Sequence, residues 1–212
     1  MEYKMEEYRI KNESKFLMVP NNESIESIES KVNSDEAYKG EGELLNEAII
    51  KFPENKEREI VAMKVALIDV TNSTQIGMQK AIVPLHYIVE HILKIKDLDN
   101  RLQTKDSLLV KEIADIQGID DGARNLFSFA SKFCAYHNRF YGKDDFAIFD
   151  NVVSKILPFY LKAVNKNIIE KCREKMDYEK FVGYIDEFAQ KYNITIKEKY
   201  KKIDHFLWYP NR

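Results

Sequence analysis

Between Arg124 and Asp150 the chain reads Arg-Asn-Leu-Phe-Ser-Phe-Ala-Ser-Lys-Phe-Cys-Ala-Tyr-His-Asn-Arg-Phe-Tyr-Gly-Lys-Asp-Asp-Phe-Ala-Ile-Phe-Asp. Phe127, Phe129, Phe133, Tyr136, Phe140, Tyr141, Phe146 and Phe149 crowd this stretch, so whatever forms here needs a deep apolar core around it. Lys132 stands in the middle of the run. Asp150 follows the apolar trio Ala147-Ile148-Phe149 and is placed to open a helix. Charge in such surroundings is costly unless it is paired and hydrogen-bonded. A fold for this chain therefore has to give each of these two charges a reason for its place.

The rest of the chain favours helices. Seven glycines and five prolines in 212 residues are too few for a turn-dense β architecture, and apolar residues recur at helical spacing through most of the length. The expected class is all-α, built from many helices, with a core that a chain of this size can bury. Cys134 and Cys172 have no metal-ligand spacing between them and read as reduced thiols. No leader or membrane-length apolar run is evident, so a cytoplasmic protein without membrane contact is expected. The charge is uneven: residues 1–60 carry −6 and residues 151–212 carry +5. A basic last third can touch a phosphate backbone or be a solvated helix surface, and charge alone does not separate the two.

Residues 1–42 read as a polar, acidic N-terminal arm, and residues 43–212 as the helical domain. Within the arm, Ile25, Ile28 and Val32 fall on one side of a helical wheel, so an amphipathic helix and a mobile arm both stand open. Lys39-Gly40-Glu41-Gly42 marks a turn before the core. Helices are expected over 43–52, 56–70, 78–95, 107–116, 123–137, 150–164, 167–176, 178–192 and 196–208. Gly118-Ile119-Asp120-Asp121-Gly122 is a tight connection, and 138–146 a loop. Tyr184, Phe188 and Tyr192 form a core face, and Trp208 locks the last helix onto the body.

Each candidate residue has two readings. A desolvated Lys132 is an amine nucleophile, or else a lysine that pairs with an acid or reaches solvent. Asp150 stabilises developing positive charge, caps a helix, or does both. His137 shuttles a proton or bonds a backbone carbonyl. Phe140, Tyr141 and Phe146, in the loop, are the aromatics best placed to line a pocket. Asn72, Ser73, Thr74 and Gln75 form a polar turn that reads a base edge or caps a helix. His86, Glu90 and His91 lack the spacing for a shared metal ion, so no metal site is expected.

Two segments together resemble the helix-hairpin-helix DNA glycosylases, the 8-oxoguanine glycosylase branch included. One is Val65-Ala66-Leu67-Ile68-Asp69-Val70-Thr71-Asn72-Ser73-Thr74-Gln75-Ile76, similar to the family's early helix with its polar turn near the lesion pocket. The other runs from Gly118 to Val153, and Lys132 and Asp150 stand in it at a separation like the family's lysine–aspartate pair. The resemblance covers about residues 55–165. It implies a helix-hairpin-helix glycosylase-like fold, double-stranded DNA as partner, and excision of a damaged or modified base with attendant lyase chemistry by Lys132 and Asp150. It also implies backbone contacts to DNA at Gly118, Gly122 and Arg124, and no cofactor. The chain departs from the family at the hairpin, which carries Asp120 and Asp121. The position just after it, where the family has its lysine, holds Arg124, which cannot supply a neutral amine. The segment Ser-Phe-Ala-Ser-Lys-Phe-Cys and the ending Asp-His-Phe-Leu-Trp also resemble a glycosylase-like bacterial family without a settled activity. The alternative is a catalytically inactive helical module that binds DNA or a protein, for example in a bacterial defence system.

Overall fold

Asn21 starts the helical body. Its side chain accepts the N–H of Ser24 at 2.8 Å, and the Ser24 hydroxyl accepts the N–H of Asn21 at 3.0 Å, a reciprocal cap that satisfies two otherwise orphaned donors. The computed structural model describes residues 6–10, 13–72, 74, 76, 83–119, 122–162 and 164–212. Two short strands, β1 (Glu6–Ile10) and β2 (Glu13–Leu17), pair antiparallel. Helices α1 (Asn22–Ser34), α2 (Glu36–Lys51), α3 (Arg58–Asn72), α4 (Leu85–Leu93), α5 (Leu98–Gln103) and α6 (Leu108–Ala114) follow. A second antiparallel pair, β3 (Asp115–Ile119) and β4 (Gly122–Asn125), leads into α7 (Phe127–Phe140). The chain closes with α8 (Asn151–Tyr160), α9 (Lys166–Lys175), α10 (Tyr178–Lys191), α11 (Lys199–Trp208) and a 3-10 turn over Tyr209–Asn211.

The fold is helical, as the glycine and proline scarcity implies. Its core gathers apolar side chains from α1 to α11, including the fully buried Phe127, Phe129, Phe133, Phe149, Phe181 and Phe188. The aromatic-rich helix α7 packs against α2, α3, α5 and α6. Phe188 of α10 meets Tyr160 and Tyr192 ring to ring, and Trp208 of α11 lies 5.1 Å from Tyr38 of α2. Tyr184, one turn before Phe188, is only partly buried.

Three expectations are corrected. Residues 22–42 are not an arm. Ile25, Ile28 and Val32 of α1 are buried, and α1 packs against α11 at the far end of the chain. Glu26 and Glu29 of α1 meet Lys202 and Lys201 of α11 at 2.7 and 3.0 Å, so the acidic head and basic tail neutralise each other. The expected turn at 39–42 lies inside α2. Asp35 caps that helix upstream through the N–H of Tyr38, and Leu45 and Ile49 bury its inner face, which outweighs about 1 kcal/mol per glycine. The connection near 118–122 joins strands rather than helices: Ile119 pairs with Gly122, and residues 115–116 and 123–125, expected in helices, lie in β3 and β4, while residues 120 and 121 lie outside the described residues. Residues 77–82, at the start of the helix expected over 78–95, also lie outside them, and α4 begins just after Pro84.

Candidate active site around Lys132 and Asp150

One face of α7 builds the centre. Ser128, Ser131 and Lys132 stand at i, i+3 and i+4, so their side chains share that face. The Ser128 hydroxyl donates to the carbonyl of Phe149 at 3.0 Å, and the Ser131 hydroxyl accepts the Phe149 N–H at 3.0 Å. The two serines thus hold both backbone groups of the residue before Asp150. Asp150 then caps α8: its Oδ1 accepts the N–H of Val152 at 2.7 Å, where the helix dipole also favours a negative charge. Its Oδ2 accepts from Nζ of Lys132 at 3.2 Å. Lys132 Nζ donates as well to the backbone carbonyl of Asn72, the last residue of α3, at 3.2 Å. The side chains of Lys132 and Asp150 are 6% and 17% exposed, so the pair is largely shielded from water and strengthened accordingly.

Asn72 links this pair to a cavity. Its Oδ1 accepts from the Tyr136 hydroxyl at 2.6 Å, and Tyr136 stands one helical turn after Lys132. Burial pushes the Tyr136 phenol up to about 12, so it stays a neutral donor. A cavity of about 570 Å³ opens beside Asn72 and Tyr136 and is bounded also by Tyr38, Arg139, Lys201 and His205. That volume falls within the range of about 300–1,000 Å³ typical of small-molecule sites. Lys132 and Asp150 are not on its wall but stand behind Asn72. Arg139 lies over the Tyr136 ring at 5.6 Å and 3.6 Å from Oδ1 of Asp144, with Nε and Nη2 buried and free of hydrogen bonds. His205 holds Glu29 at 2.6 Å.

The structure places the other candidate residues elsewhere. Phe146 is 1% exposed and belongs to the core, which removes it as a pocket wall. His137 is buried too. Its Nδ1 meets the Phe133 carbonyl at 2.8 Å and its ring stacks on Phe133 at 4.1 Å, so of its two readings the carbonyl-bonded one describes this histidine. Phe140 closes α7 rather than sitting in a loop, and it meets Tyr141 edge to face at 4.9 Å. Both are half-buried against the core, and neither borders the cavity. The Thr74 hydroxyl bonds Oδ1 of Asp69, closing the end of α3 rather than facing the cavity. Ser73 and Gln75 lie outside the described residues. Gly118 lies in β3, and Gly122 and Arg124 in β4, with Arg124 opposite Ile116.

Sequence reasoning missed Ser128, Ser131, Tyr136 and Arg139. Signals were present: two serines and a lysine at i, i+3 and i+4 inside an aromatic run mark a polar stripe, and Tyr136 and Arg139 extend it by two further steps. A second buried lysine, Lys64, carried no such signal. It donates to Asn55 Oδ1 at 2.9 Å and to the Glu54 carbonyl at 3.2 Å, which fastens the connection before α3. Burial lowers its ammonium to about 8.

The chain belongs to the HI_0787_N family, whose N-terminal domain model matches residues 22–145. The matched span holds Asn72, Lys132, Tyr136 and Arg139 and ends before Asp150. An uncharacterized protein of Haemophilus influenzae is 35% identical over 127 residues, which is 60% of this chain. The aligned stretch spans 57% of that relative's length. No solved structure matches the chain.

Proposed function

We propose that this member of the HI_0787_N family is a DNA glycosylase with lyase activity and a helix-hairpin-helix glycosylase-like fold, acting on double-stranded DNA in the cytoplasm. The observation that carries the reading is the contact at 3.2 Å between Lys132 and Asp150, beside an asparagine that edges a cavity. In this account a damaged or modified base leaves the stack and enters the cavity between Tyr38 and Tyr136. Asp150, held at the start of α8, stabilises the cationic sugar as the base departs. Lys132, once neutral, attacks C1′ and forms a Schiff base. The chemistry needs neither a metal nor a redox cofactor.

Base release measured on duplexes with oxidised, deaminated, alkylated or hypermodified bases tests this reading. Release from at least one class is expected, with a loss of at least about a hundredfold in Asp150→Asn. No release from any class removes the reading.

One observation favours a second reading. Lys132 is 4% exposed and its ammonium spends its contacts on Asp150 and Asn72, so it ties α3, α7 and the start of α8 together. Under that reading the chain is a non-catalytic helical module that binds DNA or a protein in a bacterial defence system, and it binds duplex without releasing any base.

A further inference from the structure

His205 of α11 stands on the wall of the cavity that Tyr38, Asn72 and Tyr136 also bound. Its Nδ1 lies 2.6 Å from Oε2 of Glu29 on α1, and both side chains are 7% exposed. An ionised carboxylate only accepts, so Nδ1 carries a hydrogen and Nε2 is the nitrogen left to act. Nε2 bonds no described residue, yet it is not sealed away, and the open space that His205 borders is this cavity. Tyr38 of α2 holds the ring in place, edge to face at 5.8 Å. Glu29 is fixed as well, because its Oε1 meets Lys201 Nζ at 3.0 Å and Asn33 Nδ2 at 3.5 Å. Burial alone would raise the Glu29 carboxyl, but the hydrogen bond and charge of His205, with those of Lys201, bring it down to about 2. Glu29 is therefore a standing anion behind the imidazole. That arrangement orients a histidine for proton transfer and steadies its charged form.

The other groups on the cavity wall are poor proton donors. Arg139 keeps its proton at any working pH. Burial pushes the Tyr136 phenol up to about 12 and the Tyr38 phenol higher still. Lys201 is engaged with Glu29, and Lys39 pairs with Glu43 at 3.6 Å in the open. Glu41 and Glu198 are exposed to water. We propose that His205 is a catalytic residue that protonates the departing base through Nε2, with Glu29 as its positioning residue. The proposal rests on the base-excision reading, which puts the extruded base between Tyr38 and Tyr136 and so against this ring. Asn72 joins the cavity to the other centre: its side chain takes the Tyr136 hydroxyl at 2.6 Å, and its carbonyl takes Lys132 Nζ at 3.2 Å. In the step itself, the Nε2–H bond breaks and its proton bonds to a ring nitrogen or exocyclic oxygen of the base. The C1′–N glycosidic bond breaks with its pair leaving on the base, and the pair on neutral Lys132 Nζ bonds to C1′. The base thus departs neutral, whereas an anion in a cavity shielded from water is costly. His205 afterwards takes a proton back from water.

The test compares two reactions of the full chain. One is single-turnover base release from the duplex that wild type acts on fastest, among those with oxidised, deaminated, alkylated or hypermodified bases. The other is borohydride trapping on a duplex with an abasic site, where no base has to be expelled. His205→Gln is expected to release base at least about a hundredfold more slowly, the usual worth of a general acid, and to keep its trapping rate. Glu29→Gln still accepts from Nδ1 but carries no charge, so it is expected to show the same pattern with a smaller loss. Thermal melts establish that each variant is folded. In a folded variant, loss of both reactions alike makes the pair structural and overturns the proposal. Loss of neither reaction, or of trapping alone, overturns it too. Should neither variant fold, base release by wild type in deuterium oxide decides. Slower release than in ordinary water is expected, because a proton is in flight as the bond breaks, and an unchanged rate overturns the proposal. Absence of release by wild type from every class of base removes the base-excision reading, and the proposal with it.

Discussion

The Lys132 ammonium lies 3.2 Å from Oδ2 of Asp150, 18 positions further along the chain, while the other oxygen of the same carboxylate caps α8. One carboxylate therefore serves the helix and the lysine with separate atoms. Substitutions can divide those duties.

Asp150→Asn keeps a good cap and removes the charge. It is expected to cost less stability than Asp150→Ala by about 1 kcal/mol, the typical worth of a helix cap. Both should lose base release to a similar degree if the charge is what matters. Denaturant melts of the two proteins, compared with their rates on the same duplex, check this. Equal rates in Asp150→Asn and wild type would leave Asp150 as a cap alone.

Lys132→Ala leaves Asp150 Oδ2 and the Asn72 carbonyl without their donor in a site that water scarcely reaches. A loss of about 3 kcal/mol is expected. Combining it with Asp150→Asn should recover part of that loss, because the stranded negative charge is gone. A double-mutant cycle by urea unfolding measures the coupling. Strict additivity would mean that the pair contributes nothing to folding.

Ser131→Ala strands the Phe149 N–H, which is buried and has the Ser131 hydroxyl as acceptor. It should cost about 1–3 kcal/mol. It should also slow base release, because Asp150 follows directly on the loosened residue. Ser131→Cys, close in size and a weak acceptor, is expected to fall between. Unfolding melts and single-turnover rates read both effects. A stable Ser131→Ala protein with a full rate would break the proposed link between the serine clamp and Asp150.

The fold was legible where composition and periodicity act locally. Few glycines, few prolines and apolar residues at helical spacing imply helices, and they imply them where Phe127–Phe140 now forms α7. The Lys132–Asp150 pairing came from the family resemblance and its lysine–aspartate separation, because the residues alone left Lys132 to pair with any acid or to reach solvent. What escaped was decided by long-range contacts. Whether residues 22–34 form an arm or a helix depends on α11, which lies at the other end of the chain. Gly40 and Gly42 suggest a turn until the burial of Leu45 and Ile49 is known. Phe146 looked available because nothing local shows that Tyr178 covers it.

His137 offers a pH test of its core role. Burial, with the Lys64 charge adding to it, lowers the imidazole from its ordinary 6.5 to about 3. The unfolded chain then binds the proton first as pH falls. Stability is therefore whole above about 6.5 and is lost as pH falls from there toward about 3. Thermal melts across that window should fall more steeply for wild type than for His137→Gln. Parallel slopes would contradict a buried, neutral His137.

The central claim, that Lys132 is the amine that engages C1′, is tested most directly by locating the covalent bond. Wild type is incubated with an abasic-site duplex and borohydride, digested, and the nucleotide-bearing peptide is identified by mass spectrometry. The account predicts one dominant adduct on Lys132, absent from Lys132→Ala at matched folded concentration. An adduct on another amine, or undiminished trapping by Lys132→Ala, would contradict it.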